Sequence, residues 1–413
     1  MERRVILNRL AGKYEVSSHL LHPGQSRRRV MLRVDRKELP EYQYEDAATR
    51  DAYNAAARGL EEDGLIQLEW VPDRQLMTRL VLNLDTVERV YAELGRPHPA
   101  RRALSYCEKI RGQTGKIQTE WIKRWADEAC QTAERTYRIP PNYAGDTRLL
   151  DDLLRAFAHY DALKGQAVSL RAFSIQCYQD SKRFEREIQG EFLRIARKYD
   201  AELAELCLDE DVREREQLSF LGLLARPELF ELSGRIAVET EGGAVDLAPL
   251  FPCGIALPST QFDRIRRFQL DSIRTVTFIE NKTNYDIYLQ QEIREDELVV
   301  YQGGFLSPSQ KKLCQLIAAA LRERTAVRFW ADIDLGGFRM FEQLAALFPN
   351  LSPFRMSPED VAHYKEHGLA RSERYLATLE QLLRTDRYPR FSEVIRALLD
   401  GGVTIEQEVF YSV

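Results

Sequence analysis

Three short β-rich runs near the C-terminal end of this 413-residue chain are separated by two helix-length stretches, and that alternation narrows the fold more than any other feature. Residues 273–279 (Ile-Arg-Thr-Val-Thr-Phe-Ile), 298–301 (Leu-Val-Val-Tyr) and 327–331 (Val-Arg-Phe-Trp-Ala) read as strands. A polar helix-like stretch separates the first two, and a helix over about 309–322 separates the last two. Strand, helix, strand, helix, strand points to a parallel α/β sheet, whose ligands gather beyond the carboxyl ends of the strands. Those ends carry acids. Glu280 follows the first run, and Asp332 and Asp334 follow the third, just before Gly336 and Gly337.

The residue types fit metal-assisted phosphoryl chemistry. Side chains two apart in an extended segment point to the same face, so Asp332 and Asp334 can share one side, and Gly336-Gly337 lets the chain turn away without covering them. Hard oxygen ligands suit Mg²⁺ or Mn²⁺ better than zinc, which favours His and Cys. Glu280 can complete the metal shell or serve as general base for a water, while a cation offsets charge on phosphate oxygens. A lone Asp-x-Asp is usually a solvated turn. Three strand-end acids in one α/β unit, with paired glycines at the turns, favour a metal site.

This constellation resembles the Toprim domain, shared by type II and type IIB topoisomerases, bacterial primases and several nucleases. Glu280 matches that family's Glu after its first strand, and Asp332 and Asp334 match its later Asp-x-Asp. The runs 278–284 (Phe-Ile-Glu-Asn-Lys-Thr-Asn), 300–305 (Val-Tyr-Gln-Gly-Gly-Phe) and 331–337 (Ala-Asp-Ile-Asp-Leu-Gly-Gly) resemble, more narrowly, the nuclease-subunit family of the Wadjet anti-plasmid defence systems. That family is a distant relative of the type IIB topoisomerase catalytic subunit, and the similarity covers most of the chain. Leu335 departs from the pattern, which usually has Pro or another small residue after the second Asp.

Residues 404–408 (Thr-Ile-Glu-Gln-Glu) resemble the Glu-Gln-Glu ending of the same family. Glu406 or Glu408 can fold back as an extra ligand or base, with Glu408 taken as a metal ligand, or the segment is simply acidic chain near the end. The resemblance implies a Mg²⁺-dependent endonuclease, with Mn²⁺ able to substitute, that cuts double-stranded circular plasmid DNA. It further implies an SMC-like ATPase, a kleisin and accessory subunits as partners, and a homodimer that sets two sites across a duplex. Glu280 is then base or metal ligand, Asp332 and Asp334 are metal ligands, and Lys282 either offsets phosphate charge or is a surface lysine.

The N-terminal part supplies a second argument. Val5, Ile6, Leu7 and Leu10 recur at helical spacing over about 3–14, and a longer helix runs over about 46–63 to Gly64. Strands over 65–70 and 78–82 follow, separated by a polar segment with Pro72-Asp73. Helices followed by a two-stranded wing point to a winged-helix-like module that contacts DNA or docks a protein. Arg27, Arg28, Arg29, Arg33, Arg36 and Lys37 can neutralise phosphates, or form a solvated basic loop. Residues 100–127 interleave basic side chains with Tyr106, Trp121 and Trp125, as a DNA-facing helix or, more commonly, a helix with one apolar face.

Further along, residues 148–160 and 180–207 read as helices, the second rich in alternating charge and so solvated or partner-facing. Residues 218–246 are β-rich, with Gly234, Gly242 and Gly243 as turns, and helices return from 360 to 399. The expected organisation is multi-domain α+β and α/β. It comprises a winged-helix-like domain (1–95), a mainly helical region (96–217), a β-rich connection (218–270), and a Toprim-like catalytic domain with a Rossmann-like parallel sheet and C-terminal helices (271–413).

Composition sets limits on these readings. A net charge of −5 confines any DNA-binding surface to a local patch. No apolar run is long enough to span a membrane and Met1-Glu-Arg-Arg is no secretory signal, so a cytoplasmic chain is expected. Six widely spaced cysteines with no Cys-x-x-Cys argue against a disulfide framework, a zinc ribbon and a zinc-bearing primase. The run His363-Tyr-Lys-Glu366-His367 matches an inverted zinc-protease motif, but such short matches arise by chance and no third ligand is identifiable. Two rivals stay open: a topoisomerase-like transesterase using Tyr42, Tyr44 or Tyr53, and a non-catalytic DNA-binding or docking subunit.

Overall fold

The computed structural model describes residues 1–43, 45–72, 76–144, 147–207 and 212–412, apart from the side chain of Asp263. Tyr44 and Asp73 lie outside them. The chain divides into two compact units, Met1–Ala158 and His159–Val413.

In the first unit the helices Glu2–Glu15 and Ala47–Glu62 accompany a three-stranded antiparallel sheet. Met77–Leu82 is its central strand, between Ile66–Trp70 and Met31–Arg33. Asp46 caps the longer helix by accepting from Ala48 N, and Gly64 closes it at φ 72°, a backbone region that costs glycine nothing. Ile6, Leu7, Leu10, Ala57, Leu60 and Leu80 form the core. The strand Met31–Arg33 lies inside the basic stretch that sequence reads as a loop. It is three residues long, too short for alternation to register, and exists because Met31 and Leu32 pair with Val81 and Leu80.

The expected helix over 100–127 is two helices, Pro99–Thr114 and Glu120–Thr136. Tyr106, Trp121 and Trp125 are buried, and both tryptophans meet Phe157 edge-on at 5.4 and 5.1 Å, so these aromatics serve an apolar face. The stretch 180–207 is likewise divided. A π-helical turn, Phe184–Ile188, leads into Gln189–Tyr199, and Asp200 then leaves helical geometry to cap Ala201–Leu206 by accepting from Leu203 N.

The second unit is built on a six-stranded sheet. Its strands are β1 (Leu229–Ser233), β2 (Ile255–Pro258), β3 (Thr275–Ile279), β4 (Glu297–Tyr301), β5 (Ala326–Trp330) and β6 (Leu351–Pro353). Helices α1 (Lys282–Gln291), α2 (Pro308–Ala320) and α3 (Leu335–Ala345) follow β3, β4 and β5 respectively. Spatial order is β6-β5-β3-β4-β1-β2. The four strands β6, β5, β3 and β4 are parallel, while β1 and β2 add antiparallel at one edge. The sheet is therefore mixed, where sequence predicts a parallel one. The antiparallel pair comes from a stretch whose local pattern shows strands but not which sheet they join. Central β3 is buried along its whole length, as a strand covered on both faces must be. Successive connections from β3 go first to β4 on one side and then to β5 on the other. The carboxyl ends of β3 and β5 thus meet at a switch point in strand order, where α/β sheets hold ligands.

Candidate metal centre

Glu280 and Asp332 face each other because β3 and β5 run in register. Ile279 pairs with Trp330, and the next backbone N–H, that of Glu280, donates to the Trp330 carbonyl at 2.9 Å. The Glu280 carbonyl in turn accepts from Gly303 N at 3.2 Å. Gly303 sits at φ 62°, and a Cβ there would lie 2.9 Å from the Tyr301 ring, so this close return of the chain requires glycine.

Beyond β5 the chain stays extended through Ile333, which exchanges backbone hydrogen bonds with Ile405 at 2.8 and 3.3 Å. Ile333 is buried between two half-buried aspartates, which is the period-2 alternation of extended chain. Asp334 then caps α3, its Oδ1 accepting from Gly337 N at 2.8 Å. Here the structure corrects the sequence expectation. Gly336 and Gly337 do not turn the chain away; they form the first turn of α3. A Cβ on Gly337 would stand 2.1 Å from the Asp332 carbonyl oxygen, so glycine is needed for this approach. Leu335 is buried at the start of α3 and donates its N–H to the Tyr375 hydroxyl at 3.0 Å.

The C-terminal segment completes the site. Gln407 is 0% exposed and ties three elements together. Its backbone N–H donates to Asp332 Oδ1 at 2.6 Å. The side-chain carbonyl accepts from Asn281 N at 2.8 Å, the side-chain amide donates to the Trp330 carbonyl at 3.2 Å, and its own carbonyl accepts from Asn284 Nδ2 at 2.6 Å. Glu408 Oε1 accepts from Asn281 Nδ2 at 2.6 Å, while its Oε2 is buried with no hydrogen-bond partner. Asp332, Glu406 and Glu408 each offer a carboxylate oxygen, all within 4.8 Å of one another. Among the described residues no other group of His, Cys, Asp and Glu meets that geometry.

The electrostatics are those of crowded like charges. Burial, then Asp334, Glu408 and Glu406, push the Glu280 carboxyl well above the usual carboxylate range. Asp332 is raised by burial and then by Glu280 and Asp334, against the Gln407 N–H, which lowers it. A cation reaches this group: Arg371 Nη2 lies 3.7 Å from Glu406 Oε1 and 4.0 Å from Asp334 Oδ2, with Nε donating to Thr404 Oγ1 at 2.7 Å. An orphaned buried oxygen among clustered carboxylates fits a hard divalent ion such as Mg²⁺.

The Wadjet protein JetD of Bacillus cereus (strain Q1) is 25% identical to this chain over 416 residues, 98% of this chain and 97% of that protein. A family model described as Wadjet protein JetD, C-terminal, matches residues 244–412. Residues 244–412 of this chain thus match the JetD C-terminal family. The matched range contains all five acids of the centre, Glu280, Asp332, Asp334, Glu406 and Glu408, together with Arg371 and Gln407.

The structure places the remaining sequence candidates elsewhere. Lys282 Nζ donates to Glu231 at 2.6 Å and Asp286 at 2.8 Å and lies over the Tyr285 and Tyr301 rings, so its charge is already met. Arg27 and Arg28 are exposed in the first unit, where Arg29 donates to Glu69 at 2.7 Å. Tyr42 and Tyr53 are buried, with the Tyr42 hydroxyl donating to Asn54 Oδ1 at 3.1 Å. His363, Glu366 and His367 are exposed. The six cysteines are free thiols, and no described helix is long and apolar enough to cross a membrane. Arg371 carried no sequence signal as a site residue, and Gln407 entered only as the middle of the Glu-Gln-Glu ending, since each acts through contacts with residues distant in the chain.

Proposed function

We propose that this chain is the DNA-cleaving subunit of a Wadjet defence complex, a Mg²⁺-dependent endonuclease with a winged-helix-like N-terminal domain and a Toprim-like catalytic domain. The observation that carries the reading is the convergence of Asp332, Glu406 and Glu408 beyond paired parallel strand ends, with Glu280 beside them, in a chain similar to the Wadjet protein JetD. Asp332, Glu406 and Glu408 would hold the ion, with Asp334 shaping the field from its capping position. A bound divalent ion supplies charge for the phosphate oxygens and the departing oxygen. Glu280, its proton affinity raised by burial and its acidic neighbours, takes the proton of the attacking water. Arg371 keeps the acid cluster from full repulsion and stands where a phosphate oxygen can be met.

The reading includes double-stranded circular DNA as substrate, an SMC-like ATPase with kleisin and accessory subunits as partners, and a homodimer bringing two centres to one duplex. Exposed Arg27 and Arg28 are the N-terminal candidates for phosphate contact. The experiment is cleavage of closed circular plasmid with Mg²⁺ or Mn²⁺, with and without the cognate SMC-like complex, on samples denatured before electrophoresis. Free-ended linear product that Glu280→Ala and Asp332→Ala both abolish is expected. Cleavage that survives both substitutions, or protein covalently attached to DNA ends, overturns the hydrolytic assignment.

A further inference from the structure

The C-terminal segment brings Glu406, Gln407 and Glu408 to the strand ends, and what holds it beyond Glu408 is a cluster that no part of the chemistry uses. Residues Val409–Ser412 form a single helical turn. From it the Tyr411 hydroxyl donates to Glu292 Oε1 at 2.7 Å. Arg355 Nη2 donates to both Glu292 oxygens, at 3.0 and 2.9 Å, and its Nη1 lies 3.4 Å from the Tyr411 hydroxyl. The three polar groups therefore close a triangle in which a carboxylate takes two donors and the phenol links both partners.

Aromatic surfaces lock the triangle to the site. The Arg355 guanidinium lies over the rings of Trp330, Phe354 and Tyr411, at 4.7, 5.0 and 5.6 Å. Phe410 and Tyr411 meet Trp330 edge-on at 5.5 and 5.6 Å. Trp330 is the residue whose carbonyl receives both Glu280 N and the Gln407 amide, so the tail and the strand end share one anchor. Arg355 also holds its backbone at φ 56°, a conformation costly for a non-glycine residue and kept only where surroundings over-determine it.

We propose that Glu292, Arg355 and Tyr411 are positioning residues: a clasp on the C-terminal turn that fixes Glu406 and Glu408 against Asp332 and so sets the affinity of the centre for a divalent cation. This rests on the metal-site reading above. The physical reason is entropic. Two of three clustered carboxylates sit on one short segment, and an unfastened segment must be ordered each time an ion binds, at the expense of affinity.

The test uses the full chain and Mn²⁺ alone. Mn²⁺ affinity is measured by calorimetry, well below the melting temperature, for wild type, Tyr411→Phe, Glu292→Gln and the double variant. Amide exchange over 403–412 is followed on the metal-free proteins. The expected result is about tenfold weaker Mn²⁺ binding in each single variant, the size typical of lost outer-sphere support. The double variant should be little weaker than either single one, because both disable the same Glu292–Arg355–Tyr411 triangle, and exchange over 403–412 should quicken. Wild-type affinity in Tyr411→Phe and Glu292→Gln, or unchanged exchange in both, overturns the clasp while leaving the metal centre standing. A wild-type chain that binds no Mn²⁺ overturns the metal-site reading and the clasp's role with it.

Discussion

The backbone N–H of Gln407 donates to Oδ1 of Asp332 at 2.6 Å across 75 residues of sequence. Through that bond the chain end is fastened to the acid at the end of β5, and Gln407's side chain extends the fastening to Asn281 and Trp330.

Replacing Gln407 with Ala removes both side-chain bonds and leaves the Asn281 N–H without its partner in a part-buried setting. The expected cost is about 2–3 kcal/mol of stability, together with about tenfold weaker Mn²⁺ binding. Denaturant unfolding and calorimetry read the two effects separately. Stability within a few tenths of a kcal/mol of wild type would contradict the keystone role.

The raised carboxyls of Glu280 and Asp332 give a signed pH dependence. In the metal-free fold these groups bind protons more tightly than in the unfolded chain, so their contribution to stability is fully present below the ordinary carboxylate range. It is lost as pH rises through their elevated folded values. The melting temperature of metal-free protein should therefore fall between pH 5 and pH 8 by more than that of protein in saturating Mg²⁺. Equal slopes with and without Mg²⁺ would argue against an ion at this cluster.

Asp332→Asn keeps the acceptor for Gln407 N and spares the crowded acidic site the proton that Asp332 must take up on folding. It should raise the melting temperature of the metal-free protein and abolish both the stabilisation by Mn²⁺ and plasmid cleavage. A variant that melts lower than wild type without metal would show that repulsion does not dominate here.

Gly337→Ala forces a Cβ to within 2.1 Å of the Asp332 carbonyl oxygen, where backbone must move. A cost of about 3 kcal/mol or more is expected. Gly12→Ala in the helix Glu2–Glu15, where nothing lies within 4 Å, serves as the control and should be neutral or stabilising by up to about 1 kcal/mol. Similar melting temperatures for the two variants would refute the close-approach argument.

Tyr42→Phe and Tyr53→Phe should leave plasmid cleavage unchanged, because both hydroxyls belong to the core of the first unit rather than to a surface that can meet phosphate. Loss of cleavage in a variant that still folds, with a covalent DNA adduct vanishing alongside, would revive the transesterase alternative.

The order strand, helix, strand, helix, strand and the placing of Glu280, Asp332 and Asp334 just past strand ends were legible in the sequence. Each is a local property: apolar runs of strand length, and an acid where the run stops. Local pattern could not supply partners distant in the chain. It did not show that β1 and β2 extend the same sheet antiparallel, that Met31–Arg33 pairs with Met77–Leu82 in the first unit, or that Arg371 reaches Asp334 and Glu406. Asp334 read as a second metal ligand, yet its capping bond to Gly337 appears only once α3 is seen to begin at Leu335. The C-terminal acids were visible as residues, but their arrival beside Asp332 depends on the Ile333–Ile405 bridge and on Gln407. Periodicity encodes which face of an element is apolar; which distant element that face meets is decided by packing the whole unit, and that packing assembles the acid cluster.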